Sequence, residues 1–140
     1  MVKLGPLNHV GVAVPDLETA VSRYRDIFGA QDISDIITME ERGLYVQFVN
    51  LPTGQVELIA PMHGKTAIAK FLEKNPEGGQ HHICFEVDDI HKAVSEMQAK
   101  NIRVLGEPRL GAHGTLVIFL HPKDMGGVLI ELMEPNKVPH

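Results

Sequence analysis

The stretch "HVGVAVPDLETAVSRY", from His9, returns without a gap as "HICFEVDDIHKAVSEM", from His82. Such a repeat constrains the fold more than any other feature here, because one residue pattern must find the same local structure twice. The histidine, Val14/Val87, Asp16/Asp89 and the run Ala20-Val21-Ser22 (Ala93-Val94-Ser95) are identical in the two copies. Val10/Ile83, Val12/Phe85 and Leu17/Ile90 are conservative matches.

Each copy predicts strand, turn and helix. Val10, Val12 and Val14 alternate with His9, Gly11 and Ala13, as Ile83, Phe85 and Val87 do with His82, Cys84 and Glu86; a period of two marks a strand with one buried face. Asp16 and Asp89 then stand where a carboxylate caps the orphan amides of a first helical turn. Leu17, Ala20, Val21, Tyr24 and Phe28 follow helical spacing up to Gly29. Ile90, Ala93, Val94 and Met97 repeat that spacing, with the helix ending near Asn101.

Further strands are expected at "LYVQFVNL" and "QVELIAP", then at "TLVIFLH" and "GVLIELME", with Gly54 and "KDMGG" in the turns. "TAIAKFLEK" predicts a short helix between the halves. One strand in each half has no clear pattern of its own. The expected fold is α+β: a single domain of two pseudo-symmetric βαβββ modules, about residues 7–62 and 79–135, joined by a short helical linker.

Composition removes several function classes. No apolar run approaches the roughly 20 residues of a membrane span. The net charge of −5, without a basic run, gives nucleic acid no footprint. The lone Cys84 excludes an intrachain disulfide and every multi-cysteine zinc motif. The opening "MVKLGPLNHVGVAVPDLETA" has neither a secretory apolar block nor the character of a transit peptide, so a cytoplasmic location is expected.

Eight histidines in 140 residues direct attention to metal chemistry. Glu57 lies between Val56 and Leu58, and Glu131 between Ile130 and Leu132, at an offset of 74 against 73 for His9 and His82. Strand alternation turns all four away from the apolar side, toward a face where Gly11, Ala13 and Cys84 leave room. Taken singly, a histidine opening a strand is ordinarily an edge residue, and a strand glutamate ordinarily meets solvent. Four such residues matched by a repeat and by facing instead predict a metal site at the centre of two related sheets. His81 aligns with Asn8, faces the other way, and is expected to be a polar edge residue. Two imidazoles and two carboxylates suit cobalt, manganese, nickel or zinc. Such an ion would act as a Lewis acid on a carbonyl, with a ligand carboxylate free to double as a base.

These residues resemble the vicinal oxygen chelate superfamily, and the likeness to its methylmalonyl-CoA epimerases runs essentially end to end. It is carried by "LNHVGVAVPDLETAVSRYRDIFGA", "VELIAP", "GGQHHICFEVDDIHKAV", "GAHGTLVIFLHPKD" and "GGVLIELMEP". The opening strand–helix pattern is shared across the superfamily; the later stretches are more particular to the epimerases. The resemblance implies a glyoxalase-like fold, a curved mixed sheet around a central metal, with His9, His82 and Glu131 as ligands. Glu57 falls where members carry Gln or Glu as fourth ligand. It also implies interconversion of (2R)- and (2S)-methylmalonyl-CoA through an enolate, with Glu131 as base on one side. Some members bring a second glutamate from the strand written here "GLYVQF", but that register lands on Val46, leaving the second role to Glu57 or a water. Lys123 in "HPKD" and the backbone of the "GAHG" loop around Gly114 are the candidate CoA contacts, while His113 and His121 stand equally as substrate contacts or surface residues. The resemblance further favours a homodimer with each site within one chain.

Two rivals remain at this level. A glyoxalase I-type lactoylglutathione lyase would use the same His, Glu, His, Glu set. A non-catalytic small-molecule binding protein on this fold would ordinarily lack the full set.

Overall fold

The computed structural model describes residues 1–63 and 66–135. The elements run β1 (Leu7–Ala13), α1 (Leu17–Phe28), β2 (Ile37–Met39), β3 (Leu44–Leu51), β4 (Gly54–Pro61), α2 (Ala67–Lys74), β5 (Gly79–Glu86), α3 (Ile90–Ala99), β6 (Val104–Leu110), β7 (Leu116–Leu120) and β8 (Ile130–Met133). One-turn 3-10 helices at Glu40–Arg42 and Pro122–Asp124 precede β3 and β8. The order is βαβββ, a linking helix, and βαβββ again, as in the glyoxalase-like fold. None of the described helices is long and apolar enough to cross a membrane.

Two compact units are present: one runs His9–His81, and the other joins Met1–Asn8 to the chain from His82 onward. In the first, the strands lie in the order β2-β3-β4-β1; in the second, β5-β8-β7-β6. The pairings match as well, β1 with β4 and β5 with β8 being parallel and the remainder antiparallel. The repeat reaches the register itself, since Gly11 stands opposite Glu57 and Cys84 opposite Glu131.

The caps are where the sequence places them. Asp16 accepts from the Thr19 backbone N–H at 2.9 Å and Asp89 from that of Lys92 at 3.1 Å. The Thr19 bonds hold the Asp16 carboxyl below the usual carboxylate range. Gly29 closes α1 in the left-handed region at φ 66°, which a residue without Cβ adopts freely. α3 ends at Ala99, slightly before the expected Asn101.

Each helix buries its apolar stripe on its own sheet. Leu17, Ala20 and Val21 pack with Val49 and Leu58; Ile90 and Ala93 pack with Ile118 and Leu132. Full burial of a side chain such as Leu58 or Leu132 contributes roughly 1.5–3 kcal/mol.

The strands differ from expectation in one respect. A single buried face is expected on β1 and β5, formed by the valines, Ile83 and Phe85. Those residues are half-buried against the helices, whereas His9, Gly11, Ala13, His82 and Cys84 on the other face are fully buried. Both faces of β1 and β5 are therefore at least partly covered between His9 and Ala13 and between His82 and Glu86.

Candidate metal centre

The parallel pairing of β1 with β4 puts Gly11 directly beside Glu57, with His9 two residues earlier on the same face. On that face the imidazole and carboxylate meet, and His9 Nε2 lies 3.5 Å from Glu57 Oε2. The second unit repeats the pairing with Cys84 beside Glu131, and His82 Nε2 lies 3.0 Å from Glu131 Oε1.

All four side chains are buried, at 1% (His9), 7% (Glu57), 4% (His82) and 5% (Glu131) relative exposure. A carboxyl this far from water requires a positive partner or a proton, because desolvation of an unpaired charge costs several kcal/mol. The spacing suits a shared cation. Donors about 2.1 Å from one ion lie roughly 3.0 Å apart at octahedral and 3.4 Å at tetrahedral angles. The observed 3.0 and 3.5 Å bracket that range. Buried donor sets able to hold an ion are thus present, one of His and Glu and one that includes Cys84, and a divalent metal is the cofactor they fit.

Two residues that the sequence reading leaves out complete the surroundings. Phe48 stands opposite Glu57 on β3, and Phe119 opposite Glu131 on β7. Each ring meets the histidine of its own unit edge to face, Phe48 with His9 at 6.4 Å and 69°, Phe119 with His82 at 5.5 Å and 84°. A signal for them exists, because "VQFV" from Val46 and "VIFL" from Val117 share the V-x-F pattern. Their offset of 71 departs from the 73 of the histidines, which hides the match.

Residues 8–119 match the family model of the Glyoxalase/Bleomycin resistance protein/Dioxygenase superfamily. The mitochondrial methylmalonyl-CoA epimerase of Mus musculus is 55% identical over 131 residues, which span 93% of this chain and 73% of that protein. The ethylmalonyl-CoA/methylmalonyl-CoA epimerase of Cereibacter sphaeroides is 49% identical over 131 residues, 92% of this chain and 97% of its own. The chain belongs to the methylmalonyl-CoA epimerase family. A solved structure of a family member in complex with methylmalonyl-CoA and NH4+ superposes with a TM-score of 0.89 at 34% identity, covering 97% of this chain and 98% of that one. A point variant of the Streptomyces coelicolor epimerase in complex with 2-nitronate-propionyl-CoA gives 0.90 at 33% identity, over 99% of both chains. This epimerase-family chain is accordingly an enzyme, an isomerase by class.

The other candidate residues fall into two places. Gly111 opens the loop that carries His113 and Gly114, and a Cβ added to it would come 2.9 Å from Val117 Cγ1 and 3.8 Å from Glu131 Oε2. That loop therefore lies against Glu131. At its end, Thr115 Oγ1 is buried without a hydrogen-bond partner among the described residues. Lys123 is exposed, beyond the other end of β7, its backbone N–H donating to His121 Nδ1 at 3.1 Å. The five residues of β7 separate it from His113 by roughly 17 Å of strand.

Val46 is buried on β3 opposite Ile59, and Gln47 turns away to donate its amide to the Ser34 carbonyl at 2.8 Å. No residue of β3 is a carboxylate; Glu40 and Glu41, in the turn before it, are exposed. His81 packs edge to face on Phe71 of α2 at 5.3 Å. Glu86 accepts from the Asn8 amide at 3.2 Å, which ties the N-terminal segment to β5.

Proposed function

We propose that His9, Glu57, His82 and Glu131 together hold one divalent transition ion and that the enzyme interconverts (2R)- and (2S)-methylmalonyl-CoA. The observation carrying this reading is the pair of buried His–Glu contacts, equivalent in register, in a chain of the methylmalonyl-CoA epimerase family. The two modules, about 7–62 and 79–135, work as one domain, because either pair alone leaves an ion half-ligated.

When bound, the ion supplies positive charge to the substrate oxygens, which lowers the cost of removing the adjacent C2 proton. Glu131 takes that proton on one face. Glu57, protonated before that transfer, delivers its proton to the opposite face; the inverted thioester leaves, and Glu131 then loses its proton to solvent while Glu57 regains one. Phe48, Phe119, Val46 and Val117 line the strands beside the glutamates and exclude water, which keeps the carbanionic species from stray protonation.

The loop with His113 and Gly114 contacts the acyl end of the substrate, supported by its position against Glu131 and by the orphan Thr115 hydroxyl. Lys123 meets the CoA portion, for which an exposed cation well away from the reacting carbon is suited. The protein acts in the cytoplasm as a homodimer, and each site lies within one chain; the supply of both His–Glu pairs from a single chain supports the last of these.

The direct test is conversion of (2R)- to (2S)-methylmalonyl-CoA by metal-loaded protein, resolved by chiral analysis of the ester. Formation of lactoylglutathione from the glutathione hemithioacetal, with the CoA ester unchanged, would assign a glyoxalase I-type lyase instead. Binding without turnover of either compound would leave a non-catalytic binding protein.

A further inference from the structure

The edge-to-face rings recur in both units, although the strands that supply them are offset differently from those that supply the histidines. In each unit three neighbouring strands contribute in order: the histidine strand, the glutamate strand and the phenylalanine strand. Phe48 and Phe119 sit directly opposite the glutamates, so each carboxylate has a small residue on one side and an aromatic ring on the other.

An imidazole has two rotatable bonds, and ligating an ion through Nε2 requires one setting of both. Side-chain contacts that fix a ligand histidine raise metal affinity, because the ring does not have to be ordered when the ion arrives. We infer that Phe48 and Phe119 are positioning residues, holding His9 and His82 edge to face so that Nε2 points at the glutamate of the same unit. This rests on the assignment of His9 and His82 as metal ligands.

The two units differ in degree. The Phe119–His82 centroids are 5.5 Å apart and nearly perpendicular at 84°, close to the middle of the range for aromatic pairs. The Phe48–His9 pair is wider at 6.4 Å and tilted at 69°. Phe119 therefore has the larger effect. The ring contact, and not bulk, is what acts, so an aromatic replacement preserves it and an aliphatic one of similar size does not.

The test is titration of the metal-free protein with cobalt(II) against a competing chelator dye, read as a dissociation constant. Phe119→Leu is expected to weaken binding about three- to tenfold, Phe48→Leu less, and Phe119→Tyr to restore binding to within about twofold of the parent. Should Phe119→Leu not fold by circular dichroism, Phe119→Met carries the same expectation. Parental affinity in a folded aliphatic variant overturns the inference, as does equal weakening in Phe119→Tyr. His82→Ala is run alongside: if it keeps full affinity, the ligand assignment itself has failed, whatever the phenylalanine variants do.

Discussion

His82 Nε2 stands 3.0 Å from Glu131 Oε1, and its neighbour in sequence, His81, packs instead on Phe71. Adjacent strand residues face opposite sides, so the two histidines cannot exchange roles. His82→Ala should lower the metal bound per chain at least tenfold, by elemental analysis after dialysis. His81→Ala should retain it to within about twofold. A metal-free His81→Ala protein would reverse the assignment of faces.

Gly78 sits at φ +95°, and a Cβ there would lie 2.4 Å from the Ala13 carbonyl oxygen. Ala13 ends β1, so a clash at this turn strains the strand that carries His9. Gly78→Ala is expected to destabilise by roughly 2–4 kcal/mol, combining the left-handed backbone cost with the overlap. Urea unfolding midpoints with an unchanged slope check it. An undisplaced midpoint would contradict the geometry.

Much of the fold was legible because its determinants are local. Period-two alternation marked β1 and β5, and Asp16, Asp89 and Gly29 marked helix ends through chemistry a single residue performs. β2 and β6 were not legible, for physical reasons. β2 is three residues long. β6, "VLGEPRL", contains Gly106 at φ +76° and Pro108, and its register with β7 shifts between Leu105 and Arg109, which erases alternation. The His and Glu candidates stood out because the repeat paired them. Phe48 and Phe119 did not, since a ring in a strand looks like core until the register sets it opposite a buried glutamate.

Arg103 grips Asp124 through Nε at 2.9 Å and Nη2 at 3.0 Å, and its backbone N–H donates to the same carboxylate at 2.9 Å. These bonds, the side-chain pair foremost, push the Asp124 carboxyl down to about 2. A depressed folded-state value means the stabilisation is fully present above the unfolded carboxylate value near 4 and is lost as pH falls toward 2. The melting temperatures of the parent and Asp124→Asn should therefore differ at pH 6 and converge between about pH 4 and 2. Convergence at higher pH would place the relevant titration elsewhere. The pair anchors the turn bearing Lys123, and Arg103 is over half exposed, so added salt should narrow the gap at pH 6.

Glu57 is assigned both to the ion and to the second proton transfer. An amide oxygen can still ligate but cannot carry the proton, so Glu57→Gln should keep its metal to within about threefold while losing at least about tenfold in turnover. Unchanged turnover with retained metal would pass the second transfer to solvent or to Glu40 and Glu41, the carboxylates just before β3.

Proton exchange at C2 of (2R)-methylmalonyl-CoA in D2O addresses proton abstraction most directly, because it registers the transfer itself. The metal-loaded enzyme should incorporate deuterium at C2 as the (2S) ester forms, and Glu131→Gln, still folded, should be slower by on the order of 10²–10⁴-fold. Absence of deuterium at C2 with the parent enzyme, or full exchange with Glu131→Gln, would contradict it.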